Sequence, residues 1–406
     1  MIATKDAVHV RMYNVGFGDC FLVSFPSSPN PLKVLIDCGT IAAASMKMTD
    51  VVQAIIDEVT EDDGVARIDL VVCTHRHADH VSGFADDRWK SVEVREVWMP
   101  WTEDPQDQEA RRIRETQSKL ALGLDKAWQA KIASGLAAAG DPSIRDIAIN
   151  ALSNASAMET LHKGFAGKPK RKFLSAPKKG LKTVKSTALG DVVTYVLGPD
   201  KSEAVIRDMD PPAGKTYLQQ LTTTGEPLSP FEPFGPEWTL ESLQYEWDAL
   251  AVPPADAAKL RSLAELADLG ITVSLDKAVN GTSLVLVFEL GDAVLLFPGD
   301  AQWGTWNAIL ENEAAKELIS RASFLKVGHH GSHNATPKEF VTNVMGGACC
   351  SMMSTKAGKW ESIPRKPLVD VLRARTKFAR SDVVQKNPSK PFMLSSTNFT
   401  EAYVDV

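Results

Sequence analysis

Apolar positions in the first hundred residues come in short runs of strand length, some alternating with polar residues and some continuous. They predict strands at Val8 to Tyr13, Cys20 to Phe25, Lys33 to Ile36, Ile68 to Cys73 and Val92 to Met99, with one helical segment, Met48 to Val59, between them. Turn-forming residues separate the runs, in VGFGD at 15–19, PSSPNP at 26–31 and DCG at 37–39. This is a mixed α and β pattern.

From about 103 to 162 the chain becomes charged and Ala-rich with helical spacing, and the strand signal disappears. Nine basic residues and no acidic one lie between Lys163 and Lys185, a stretch that reads as a solvated loop or as a patch for a polyanion. Strand character returns in TYVLGPD at 194–200. A long Pro- and aromatic-rich stretch follows, with Trp238, Tyr245 and Trp247, and then a helix near Ala255 to Leu269. Strands resume at Ser283 to Glu289, Ala293 to Phe297, Phe324 to Val327 and Ala348 to Met353; a helix is expected at Pro367 to Arg375 and a last strand near Glu401 to Val404. No repeat of fixed period interrupts this order.

Composition narrows the class. The 406 residues are 44% apolar and 24% charged with a net charge of 45 − 51 = −6, which argues against disorder and against a disulfide scaffold. The length asks for two domains or for one domain with large insertions. The N-terminus lacks the basic-then-apolar order of a signal peptide, and no run of about 18 apolar residues occurs, so a cytoplasmic protein with no membrane partner is expected. Cys20, Cys38, Cys73, Cys349 and Cys350 form no C-x-x-C pair and read as reduced packing residues.

The histidines concentrate the chemistry. His75, His77 and His80 form one group and His329, His330 and His333 another, with only His9 and His162 apart; those two read as non-functional because neither has a partner at ligand spacing. CTHRHADHVSG, residues 73–83, follows the apolar run IDLVVC. Residues two apart in an extended segment point the same way, so His75 and His77 can grip one ion, and a turn lets Asp79 and His80 reach a second.

H-x-H-x-D-H after a strand resembles the metal-binding signature of the metallo-β-lactamase superfamily of hydrolases. LIDCG at 35–39, FPGD at 297–300 and LKVGHHGS at 325–332 match further family segments in order. With MYNVGFGD, LGP and NGTSLVL, the order is most similar to the hydrolase domain of bacterial DNA-uptake competence proteins and their soluble relatives. The resemblance covers roughly 1–100, 190–200 and 280–400. It implies an α/β fold, a four-layer αββα sandwich whose core halves are 1–100 and 271–406 with a strand at 191–200. The stretches 101–190 and 201–270 are then insertions.

The resemblance also implies a ligand set. His75 and His77 hold a first metal, Asp79, His80 and His330 a second, and Asp300 bridges both, a task that suits a carboxylate. His330 is preferred to His329 because the family's last His precedes a Gly, as His330 precedes Gly331. Where many members place a third His on the first metal, this chain has Asn280, a pattern shared by the DNA-uptake branch that opens the choice between Zn and Mn. Asp19, Asp37, Asn280 and His329 are expected to support the ligands from behind. Ser332 and Lys356 are expected to contact substrate, with Lys359 a weaker candidate, and His333 to join Asp79 and Asp300 in catalysis. Gly16 and Gly18 permit a tight turn, and Phe17 between them replaces the family's polar residue.

The expected activity is that of a binuclear hydrolase using a metal-bridging hydroxide on a phosphodiester, with nucleic acid or a small phosphodiester as partner. Competing readings are hydrolysis of a small-molecule ester, a phosphocholine-type ester or a lactone, and an inactive metal-binding interaction module. Neither a G-x-S-x-G elbow nor a P-loop is present to support other hydrolytic chemistries.

Overall fold

Alternation along the strands sends their two faces into different cores. In β1 (Ala7–Tyr13), Val8, Val10 and Met12 enter one apolar cluster; in β2 (Cys20–Phe25), Phe21, Val23 and Phe25 join them, while Cys20 and Leu22 enter a second cluster on the other face. The computed structural model describes residues 6–133, 154–208, 210–212, 215, 278–360 and 363–406. The expected helix at 255–269 and Trp238, Tyr245 and Trp247 lie outside these residues, as does 134–153 of the helical stretch.

The described chain is α/β with two mixed sheets. The larger has eight strands in the order β13-β14-β1-β2-β3-β4-β5-β6, and the smaller six in the order β12-β11-β10-β9-β8-β7. Beyond β1 and β2 the larger sheet contains β3 (Leu32–Cys38), β4 (Arg67–Val72), β5 (Glu93–Pro100), β6 (Lys170–Leu174), β13 (Phe392–Ser395) and β14 (Phe399–Asp405). The smaller contains β7 (Val193–Gly198), β8 (Val285–Leu290), β9 (Ala293–Phe297), β10 (Phe324–Lys326), β11 (Cys350–Met353) and β12 (Lys377–Arg380).

The first cluster draws on both sheets, with Phe21 against Phe297 at 5.9 Å and Phe25 against Phe288 at 5.8 Å between ring centroids. The second covers the other face of the larger sheet with Val51, Val52, Ile55 and Val59 of helix α1 (Met48–Val59), whose apolar residues recur at helical spacing. A third covers the other face of the smaller sheet with helices Trp303–Glu311, Glu313–Ser320 and Lys366–Arg375. All five cysteines are buried and free, as their apolar surroundings require.

Three strands were not foreseen. β6 lies inside the basic stretch that reads as a loop from sequence: KRKFL hides its period because Lys172 is polar yet packs on β5, with Nζ 2.7 Å from Glu96 Oε2 and 5.3 Å from the Trp98 ring centroid. β12 and β13 are four-residue strands at sheet edges, too short for an alternation to register. Helix α3 (Gln108–Ala133) follows the predicted helical spacing.

Candidate metal centre

Strand ends bring the chemistry together. β4 stops at Val72, and Thr74 to His77 continue extended until Ala78–Val81 makes one helical turn, α2, that carries Asp79 and His80. Asp19 and Asp37 precede β2's first residue and β3's last, Asp300 lies just beyond β9, and His330 just beyond β10. Asp79, His80, Asp300 and His330 have ligand atoms close enough to share an ion; so do His75, His77 and Asp79, and so do Asp19, Asp37 and His80. All eight residues are buried.

The loops that hold them are unusual in backbone geometry. Asp37, His329 and His330 have φ of 55°, 45° and 52°, a left-handed conformation that L residues adopt at a cost of about 1–3 kcal/mol each. At Gly18 a Cβ would overlap the carbonyls of Gly39 and Asp79, so only glycine allows this approach. The approach is then fixed by Asp19 N donating to Asp79 O at 2.8 Å and Gly39 N to Asp19 O at 3.0 Å.

Neighbours decide which nitrogen of each imidazole carries a proton. Thr74 Oγ1 donates to Asp37 Oδ2 at 2.6 Å, so toward His75 Nδ1, 3.2 Å away, the hydroxyl can only accept. His80 Nδ1 donates to Asp37 Oδ2 at 2.8 Å, and His330 Nδ1 to the carbonyl of Ser354 at 3.0 Å. Each Nδ1 is thereby committed and each Nε2 is directed inward, which is how metal-ligating histidines are held. His75 Nε2 faces His77 Nδ1 at 3.1 Å, His80 Nε2 faces Asp300 Oδ2 at 3.2 Å, and His330 Nε2 faces Asp79 Oδ2 at 3.1 Å. Two donors on a tetrahedral ion with bonds of 2.0–2.1 Å stand roughly 3.3 Å apart, so these separations suit a shared cation.

Asn280 lies with Oδ1 2.9 Å from His77 Nδ1 and Nδ2 3.4 Å from His329 Nε2. His329 in turn directs Nδ1 to Ser332 Oγ at 2.9 Å, and Ser332 donates to Asn334 Oδ1 at 2.7 Å. Ser332 thus belongs to a buried chain that supports His329. His333 is half-buried and joins none of the three ligand-grade groups among the described residues. Lys356 directs Nζ to the carbonyl of Ala43 at 2.6 Å, and Lys359 lies 5.2 Å from the ring centroid of Trp360.

Lys326, which the sequence did not mark, and Phe17, noted there only as a departure from the family's polar residue, complete the centre. Lys326, the last residue of β10, is buried between Asp19, with which it makes a short ion pair, and Asp300 Oδ1 at 3.1 Å. His329 N also donates to Asp300 Oδ1, at 3.0 Å, which leaves Oδ2 to the ligand cluster. Phe17 packs its ring 4.2 Å from that of His330. Nothing in a lone Lys or Phe distinguishes such a role in sequence, apart from their place inside LKVGHHGS and VGFGD.

The electrostatics ask for a cation. Four buried carboxylates, Asp19, Asp37, Asp79 and Asp300, face one buried Lys, a formal surplus of 4 − 1 = 3 negative charges with neutral imidazoles. Burial opposes charge on His80, but Asp300, Asp79, Asp37 and Asp19 outweigh it and push its pKa well above the ordinary value. Burial likewise works against ionised Asp79, and His80 and His330 outweigh it to hold the carboxyl well below the usual range. His75 and His77, governed by burial, stay neutral, with His77 lowered to about 4. At His330 burial is likewise outweighed by Asp79, Asp19 and Asp300, so protons on His80 and His330 offset part of the surplus, and a divalent cation that displaces them meets neutral imidazoles beside ionised carboxylates.

No family model and no curated protein matches the chain. Among the described residues no helix is long and apolar enough to cross a membrane.

Proposed function

We propose that the protein is a binuclear metal-dependent hydrolase of the metallo-β-lactamase type, built as an αββα sandwich and acting on a phosphodiester. The observation that carries this reading is the set of three imidazoles whose Nδ1 atoms are committed to Thr74, Asp37 and Ser354, leaving Nε2 toward His77, Asp300 and Asp79. His75 and His77, with Asn280 beside them, would hold one ion, and Asp79, His80 and His330 the other, with Asp300 as the carboxylate they would share. Bound divalent cations supply Lewis-acid polarisation, a lowered water pKa and neutralisation of developing charge.

The chain's own residues do the rest. Lys326 and His329 N fix Asp300 by its Oδ1, so the carboxylate presents one oxygen in one orientation. Asp37 and the Ser354 carbonyl orient His80 and His330 and raise their basicity as ligands.

Metal content by inductively coupled plasma mass spectrometry and hydrolysis of a single-stranded DNA and of bis(p-nitrophenyl) phosphate with added Zn or Mn test the proposal. Wild type is expected to bind about two ions and to cleave at least one substrate. Asp300→Asn is expected to lose metal and at least about 100-fold in rate. A folded, metal-loaded wild type that cleaves neither, or an Asp300→Asn variant as active as wild type, would refute it. Cleavage of DNA names the polymer as substrate, and cleavage of the aryl ester alone points to a small diester.

A further inference from the structure

Arg76 stands between His75 and His77, and in an extended segment its side chain leaves on the opposite side from theirs. It meets Glu103, donating through Nε at 3.0 Å and Nη2 at 2.9 Å. A cavity of about 480 Å³, within the range of ligand sites, opens at this pair. Arg76, Arg114, Lys163 and Arg171 bring four positive charges to its wall and Glu103 and Glu159 two negative, a surplus of 4 − 2 = 2 in a protein whose net charge is −6.

Two of these cations are guanidiniums held by carbonyls. Arg114 donates to the carbonyls of Thr102 and of Asp104, the latter at 3.2 Å, and Arg171 to those of Leu161 and Pro169, both at 3.0 Å. Carbonyls fix a guanidinium in place without neutralising it, and neither group bonds a carboxylate among the described residues. Arg171 Nη2 is buried with no hydrogen-bond partner among the described residues, which is costly for a charged donor. Burial pulls the pKa of both arginines down, the direction of an uncompensated cation. His162 stacks on Phe173 with ring centroids 5.9 Å apart and planes at 28°, and both rings line the same cavity.

We propose that this cavity is a binding site for a phosphate ester, its phosphoryl oxygens taken by Arg114 and Arg171 and its organic group lying against the His162 and Phe173 rings. Planar guanidiniums held by neutral acceptors match phosphate geometry, and a flat aromatic wall suits a nucleobase or similar ring. The site stands independently of the metal chemistry, since none of its cations belongs to the ligand cluster.

Isothermal titration of the full chain with adenosine 5′-monophosphate, inorganic phosphate and adenosine tests it, with circular dichroism confirming that each variant is folded. The monophosphate is expected to bind, phosphate to bind more weakly, and adenosine not to bind measurably. Arg171→Gln and Arg114→Gln are each expected to weaken monophosphate binding about 10- to 100-fold, Arg171→Lys less so, and Asp300→Asn not at all. Should Arg171→Gln fail to fold, Arg114→Gln decides. Undiminished binding in the arginine variants, no binding by folded wild type, or loss only in Asp300→Asn would overturn the proposal; the last would place the nucleotide in the metal centre. A thymidine oligonucleotide that displaces the monophosphate identifies polynucleotide phosphates as the natural occupant, and one that does not identifies free phosphate esters. Either result keeps the site.

Discussion

A buried imidazole has one chemical freedom, the nitrogen that keeps the proton, and in this protein hydroxyl, carboxylate and carbonyl partners remove it. The His and Asp cluster that could hold a metal was legible because H-x-H-x-D-H packs four donors into six positions. Its supports were less so. Asp37 could be expected from its place beside a strand end, whereas Lys326 reads in sequence as any lysine and acquires its role only when β9 and β10 bring Asp300 within 3.1 Å. Glu96 poses the same problem far from the centre: burial works against its charge, but Lys172 and Trp98 outweigh it and hold its carboxyl below the usual range. A folded pKa below the unfolded value of about 4.3 contributes stability above that pH and loses it as pH falls through the folded value. Glu96→Gln is therefore expected to cost about 1–3 kcal/mol at pH 7, with the gap to wild type narrowing below about pH 4. Urea melts across that range check it, and a gap that stays constant down to pH 3 contradicts it.

Elements buried on both faces announced themselves by apolar runs, which is why β1 to β5 and β8 to β11 were legible. β6 did not, because KRKFL spends its polar residues on neighbours instead of on solvent: Lys172 on Glu96, Arg171 on the Leu161 and Pro169 carbonyls. The stretch that reads as one basic patch is accordingly divided between a strand and the loops around it. The loop from Val15 to Asp19 shows the reverse, a turn whose glycines announced a close backbone approach but not the backbone they approach. Its backbone rests on that of Asp79, so loop geometry and ligand position are one constraint. Gly18→Ala is expected to cost about 1–3 kcal/mol of stability and to lower metal content with it. Urea unfolding and elemental analysis of the same preparation read both, and a variant with wild-type values for both would separate the loop from the ligand.

On the scale of the whole molecule, the centre collects residues from both sheets, from Asp19 near one end to His330 near the other. An ion bound there is bound only by the folded chain, so at a free concentration of about 100 Kd each site would add about 2.7 kcal/mol of stability. Thermal unfolding is expected to shift upward with added Zn or Mn and downward with chelator; a transition insensitive to both would argue against a metal centre. β14 lies between β1 and β13, with Ala7 opposite Asp405 and Val406 N bonded to Asp6 O at 2.9 Å. β1 therefore waits 405 − 7 = 398 residues for one of its two neighbours. During translation β1 offers an open row of amides and carbonyls, and only the later arrival of β14 closes it. Synthesis of β14, rather than the appearance of any ligand, is then the event that completes the larger sheet.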